Sequence, residues 1–148
     1  MSGNNEPNAA QATAAALQRA TQELGETAVD QLEETAAMMN PPPLVGKVLE
    51  AVCMLKGQQA DWATARRMMG ETENDGFSEQ TAVDFLRSVE NFDVSAVEND
   101  VIQLVRELIE QPGFSVEAAG ACGIVAGRLC AWVVAVVRYH AANCAGGG

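Results

Sequence analysis

The sequence predicts an all-α fold: a small helical-bundle head with an antiparallel coiled-coil stub. Three observations predict it. No stretch keeps the apolar–polar alternation of a strand for long. Apolar residues recur instead at helical spacing from residue 9 to residue 142. Proline and glycine fall where helices should stop and start, most sharply at Asn40-Pro41-Pro42-Pro43 and at Gln111-Pro112-Gly113. The 148 residues suffice for one domain with a core, plus an arm.

Residues 1–8 carry Asn and Pro without an apolar run. They read as a disordered lead and not as a secretory signal. Residues 9–39 read as one helix rich in Ala, Gln and Glu. Its apolar positions, Leu17, Leu24, Ala28, Leu32, Ala36 and Met39, form a stripe as narrow as a coiled-coil seam. Such a helix needs a partner, expected where the chain returns at Tyr139–Asn143. Gly25 weakens it locally. Pro41, Pro42 and Pro43 lack amide donors and crowd the preceding turn, so they should end this helix and open the next. The domain expectation follows. Residues 9–39 form an arm, 40–139 a globular head, and 140–148 the stub of a returning strand with a flexible tail.

Within the head, residues 44–56 read as an apolar helix closed by Gly57. Ala60 to Met69 reads as a short helix, with Asp61 as N-cap and Trp62 as apolar anchor. Gly70 to Thr81 is an acidic loop, and Val83 to Val89 a short helix with Phe85, Leu86 and Val89 on one face. Phe92 to Ser95 is a turn. Ser95 should cap a helix running through Ile109, with Val97, Val101, Leu104, Val105 and Leu108 facing the core. Ser115 should cap a last helical region, 116–142, with breaks near Gly120 and Gly123. Trp62, Trp132, Phe85 and Phe114 read as core residues.

Nine Lys and Arg stand against 20 Asp and Glu, a net charge of −11. Residues 1–40 alone hold six carboxylates and one cation, Arg19. This balance argues against nonspecific binding to nucleic acid or acidic lipid. Cys53, Cys122, Cys130 and Cys144 have no C-x-x-C spacing, and His140 stands alone. Cys53 and Cys130, in apolar helical runs, read as buried reduced thiols. The acidic loop tests poorly as a calcium site. From Glu71, loop positions 3, 5, 6 and 9 are Glu73, Asp75, Gly76 and Glu79, but position 12 is Ala82, so the bidentate glutamate is missing. Residues 119–137 are apolar enough to invite a membrane reading. Arg128 near the middle and the Gly123/Gly127 pair favour a buried helix instead. No nucleophile–base set, paired-carboxylate cleft or phosphate loop appears, so no enzyme activity, cofactor or metal is expected.

Five motifs in order carry a resemblance. They are Asn40-Pro41-Pro42-Pro43-Leu44-Val45, Glu50-Ala51-Val52-Cys53-Met54-Leu55-Lys56-Gly57, Asp61-Trp62, the run Phe85-Leu86 to Phe92-Asp93, and Pro112-Gly113-Phe114 followed by Leu129-Cys130-Ala131-Trp132-Val133 through Tyr139. Together they resemble the stalk tip of a dynein heavy chain, its microtubule-binding domain, over roughly residues 24–142. The alanine-rich composition and the triple proline lean towards the axonemal type. The resemblance implies a non-enzymatic head that binds tubulin and couples its affinity to the register of the two stalk strands. The alternative from another class is a structural or adaptor bundle without tubulin binding.

The family's layout puts the tubulin-facing surface on the first head helix, the helix around Phe85 and the closing helix. That nominates Lys47, Arg87, Arg128 and Arg138, with Pro41–Pro43 as the stalk–head junction. It implies microtubules and an accessory dynein subunit as partners, no nucleic acid or membrane, and a cytoskeletal location in a cilium or flagellar axoneme. Three departures stand out. Gly46 occupies the place where the family carries its lysine, Ala131 and Val134 replace cations around the Trp-Val pair, and the loop at 70–81 is longer and more acidic.

Overall fold

The computed structural model describes residues 9–72 and 76–145. The alanine-rich stretch forms two helices, not one: α1 (Ala9–Gly25) and α2 (Val29–Ala36). Gly25 ends α1 close against another helix, since a Cβ there would lie 3.1 Å from Glu90 Oε1. The corner between them is held by polar groups. Thr27, only 5% exposed, accepts a hydrogen bond from Arg128 Nη1 at 3.0 Å. Gln31 Oε1 accepts from the Ala28 N–H at 3.2 Å and so satisfies a donor at the start of α2. The corner reorients the stripe. Leu24, Leu32 and Ala36 are buried, whereas Ala28 is exposed and Met39 is 67% exposed.

The prolines open the next helix as expected but do not end the preceding one. α2 stops at Ala36, ahead of Pro41, and Pro43 is the first residue of α3 (Pro43–Leu55). The free carbonyls after α2 are taken by side chains of α4 (Trp62–Met69). Arg66 Nε donates to Ala36 O at 2.6 Å, and Trp62 Nε1 donates to Met38 O at 2.7 Å. This is how a helix end is satisfied away from solvent. α3 closes with Gly57 at φ +71° and the Gln58 N–H on Cys53 O at 2.8 Å, a left-handed cap that suits glycine. Asp61 caps α4, with the Thr64 N–H on its Oδ1 at 2.7 Å. Those bonds from Thr64 hold the Asp61 carboxyl below its usual range.

After α4 the chain makes a narrow hairpin. Glu71 pairs with Phe77, and the Ser78 N–H donates to Gly70 O at 2.7 Å. Glu73 and Asp75, invoked in the calcium comparison, lie outside the described residues. Ser78 caps α5 (Glu79–Glu90), which therefore starts four residues earlier than the apolar pattern suggested. Asp93, not Ser95, organises the next turn. The Ser95 N–H and Oγ both donate to Asp93 Oδ1, at 3.0 and 2.6 Å, making a short 3-10 turn over Val94–Ala96. α6 (Asn99–Ile109) follows, with Leu104 turned outward at 53% exposure. Ser115 caps α7 (Val116–Cys122) through the Ala118 N–H at 3.0 Å. The final region breaks at Gly123, and α8 (Ile124–His140) runs on into a π-helical turn, Ala141–Ala145.

α8 is the spine, packed by α1, α3, α6 and α7. Leu129, Cys130, Trp132, Val133 and Val136 are buried, and Phe92 meets Trp132 edge-on at 5.1 Å. The stretch Ile124–Asn143 is long and apolar enough to cross a membrane, but 56% of its most apolar window is buried inside the fold, as suits a core helix. Gly127 permits a close crossing of α7, since a Cβ there would lie 2.8 Å from Gly120 Cα. α1 runs antiparallel to α8. Its Thr27 end meets Arg128, and its Ala12 end lies beside Arg138. Ala20, Leu24, Leu32 and Ala36 share one core with the α3 and α8 residues. Cys53 and Cys130 are fully buried free thiols, and burial pushes both up to about 11. The side chain of Cys144 lies outside the described residues.

Candidate functional site

In so acidic a chain the site must be sought among its cations. Three of the nine are engaged inside the fold. Arg66 holds Ala36 O and pairs with Glu71 at 3.4 Å. Arg128, half-buried, donates to Thr27 across the α1–α2 corner. Lys56, also half-buried, donates to Ser88 Oγ and lies over the Phe85 ring, 5.8 Å from its centre. Burial lowers the Lys56 ammonium below the ordinary lysine range.

Lys47 lies near the start of α3, on the outer stripe Pro43–Lys47–Glu50–Met54, while Val45, Val48, Leu49 and Val52 face inward. It has no ion-pair partner among the described residues. Arg87 is exposed in the last turn of α5, where a cation complements the helix dipole. Next to it, Ser88 joins Lys56 and Arg67 in a groove between α4 and α5 that also holds Asp84. Lys56 and Arg67, two cations that the motifs did not nominate, thus line one groove beside α5. Only a cross-chain contact reveals them, since Lys56 and Ser88 are 32 residues apart in sequence.

The four nominated cations do not form one cluster. α3 reaches α5 at its C-terminal end, where Lys56 meets Ser88 and Phe85, and α4 packs against both helices. Lys47 and Lys56 stand nine residues apart on α3, about 13 Å along the axis and about half a turn apart around it. Arg138 is exposed near the end of α8, in grooves lined by Arg19 of α1 and Arg106 of α6. No residue of α3 or α5 lines those grooves. Ala131 and Val134, which stand where cations were expected, line the groove beside α1. The described residues hold no group of three or more His, Cys, Asp or Glu arranged to bind a metal ion.

The family model described as the microtubule-binding stalk of dynein motor matches residues 3–146. The chain belongs to this family. The stalk assignment covers both the α1–α8 pair and the helices between them. Among relatives, the human "Dynein axonemal heavy chain 2" is 29% identical over 124 residues, 84% of this chain and 3% of that protein. "Dynein beta chain, ciliary" of Tripneustes gratilla is 26% identical over 135 residues, 87% of this chain and 3% of that protein. The cytoplasmic dynein heavy chain of Drosophila melanogaster is 29% identical over 112 residues, 74% of this chain and 2% of that protein. This dynein stalk domain thus spans 2 to 3% of the relatives it matches, and they include axonemal, ciliary and cytoplasmic motors.

Proposed function

We propose that this stalk domain binds microtubules through Lys47 on α3 and Arg87 on α5, with no catalysis of its own. The observation that carries the reading is the family match over 3–146, joined to two solvent-reaching cations without carboxylate partners among the described residues. The microtubule surface is strongly acidic, so attraction must come through such cations. Lys56 and Arg67 add two more cations in the groove between α4 and α5. Arg128 is assigned to the α1–α2 corner, where its hydrogen bond to Thr27 occupies it. Arg138 is set apart from this surface because its grooves share no residue with α3 or α5.

The antiparallel α1 and α8 serve as the base of the stalk, with Pro41–Pro43 as the junction that turns the chain into the head. Their relative register sets the affinity of the head for its track. An axonemal motor in a cilium or flagellum, with an accessory dynein subunit, is the proposed setting. The axonemal and ciliary relatives support it.

Microtubule co-sedimentation at low and moderate salt tests the reading. Binding should be weak and should fall with salt. Exposed ion pairs contribute about 0–1 kcal/mol each, so Lys47→Glu and Arg87→Glu should each weaken binding about threefold to tenfold. Failure to pellet even at low salt would favour a structural bundle instead.

A further inference from the structure

The groove beside α1 and the groove beside α6 share Val116, Val134 and Arg138 as lining residues. They adjoin along α8 as a two-part channel, with α1 on one side and α6 on the other. The floor is apolar and its α1 wall is alanine-rich, with Ala12, Ala16 and Ala20. Val116 is 40% exposed, although it is a large apolar side chain beside this floor. Three arginines line the channel: Arg19, Arg106 and Arg138. None has a hydrogen-bond or ion-pair partner among the described residues. Glu23 and Glu110 also line it but pair with none of them.

A third of the cations of a chain with net charge −11 therefore surround one apolar channel while unpaired. Arg106 is half-buried as well. A guanidinium partly removed from water and left without a carboxylate is poorly compensated, and a carboxylate from outside would complete it in bidentate geometry.

We propose that this channel is a docking site for an amphipathic helix of another protein, with small apolar side chains facing α8 and Asp or Glu along its flanks. The floor from Ala131 to Ala141, along the last part of α8 and the start of the turn after it, is about 15 Å long, which accommodates a helix of about three turns. Charge complementarity to Arg19, Arg106 and Arg138 selects an acidic occupant. A second copy of this chain is disfavoured, because each copy carries the same net charge of −11.

The test uses two synthetic helical peptides of about 14 residues with the same Ala/Leu face, one flanked by Glu and one by Lys. Fluorescence anisotropy against the whole chain should show saturable binding of the Glu peptide, about tenfold tighter than the Lys peptide. Arg106→Gln and Arg138→Gln should each weaken it about threefold or more. Val116→Asp should abolish it, and Lys47→Glu should leave it unchanged. Lack of saturable Glu-peptide binding would overturn the proposal, and so would equal binding of the two peptides or indifference to both arginine variants. A dimer in sedimentation velocity that Val116→Asp disperses would assign the channel to a second copy. Loss of microtubule pelleting on Arg138→Gln as large as on Lys47→Glu would assign it to the track. Either result would refute the proposed occupant.

Discussion

One flank of the seam between α1 and α8 is lined by small side chains, while its other flank carries Leu17, Trp132 and Tyr139; α3, α4 and α5 interlock through large side chains. Along the seam, Ala12, Ala16 and Ala20 stand beside Ala131 and Ala135. Among α3, α4 and α5, Leu49, Val52, Met69, Phe85 and Leu86 are buried. There the packing is also tied by Trp62 to Met38 O, Arg66 to Ala36 O and Lys56 to Ser88. Large interdigitated side chains resist shear, because any shift opens voids and loses contacts. Small ones let two helices approach closely but offer little to catch on. The Ala-lined flank should therefore yield to a shift of α1 more readily than the packing among α3, α4 and α5, which fits the register-coupled role proposed above.

The comparison breaks first at the buried thiols. Cys130 on α8 and Cys53 on α3 are fully buried, so Cys130→Asp or Cys53→Asp should cost about 3 kcal/mol or more by burying an unpaired charge. Urea unfolding checks this. The same two thiols set a pH window. Burial raises both from the ordinary thiol value of 9.0 to about 11, so the native state keeps its protons to higher pH than the unfolded chain. Stability is full below pH 9 and should fall between about pH 9 and 11, by roughly 2 kcal/mol per thiol. Unfolding midpoints flat across that range would show that the thiols are more solvated than the packing implies.

Next comes the α7–α8 crossing. Gly127→Ala would force a Cβ to 2.8 Å from Gly120 Cα, and backbone cannot swing aside as a flexible side chain can. A loss of about 1–3 kcal/mol is expected. Gly46→Ala on α3 meets nothing within 4 Å and should instead stabilise by up to about 1 kcal/mol. A fall in melting temperature for Gly127→Ala beside a smaller rise for Gly46→Ala would set a crowded crossing against an open helix face. The smallest effect belongs to the corner. A double-mutant cycle on Arg128→Ala and Thr27→Val should give a coupling of about 1 kcal/mol. No coupling would remove the polar pin from the α1–α2 turn.

Local chemistry was legible in the sequence. Asp61 and Ser115 cap the helices they precede, Gly57 closes α3, and Pro43 opens it. The misreading of 9–39 as one helix comes from partners far along the chain, whereas that of Ser95 comes from a competing neighbour. The break between α1 and α2 rests on Gly25 packed against Glu90 and on Thr27 held by Arg128, 101 residues away. Ser95 has the same short hydroxyl as a cap residue, but Asp93 supplies a stronger acceptor two residues earlier. The candidate cations were the least legible. A list of basic residues cannot show that Arg128 is engaged inside the fold, that Lys56 and Arg67 sit beside α5, or that Arg138 belongs with Arg19 and Arg106.

Microtubule co-sedimentation of three proteins side by side is the most direct test: the unaltered chain, Lys47→Glu and Arg138→Glu. All three should keep the same helical spectrum, since Lys47 is half-exposed and Arg138 exposed. The unaltered chain should pellet with microtubules at low salt and less at moderate salt. Lys47→Glu should lose about threefold to tenfold in affinity, and Arg138→Glu should lose less than twofold. Equal losses at both positions, or binding indifferent to Lys47→Glu and to salt, would contradict a tubulin surface centred on α3.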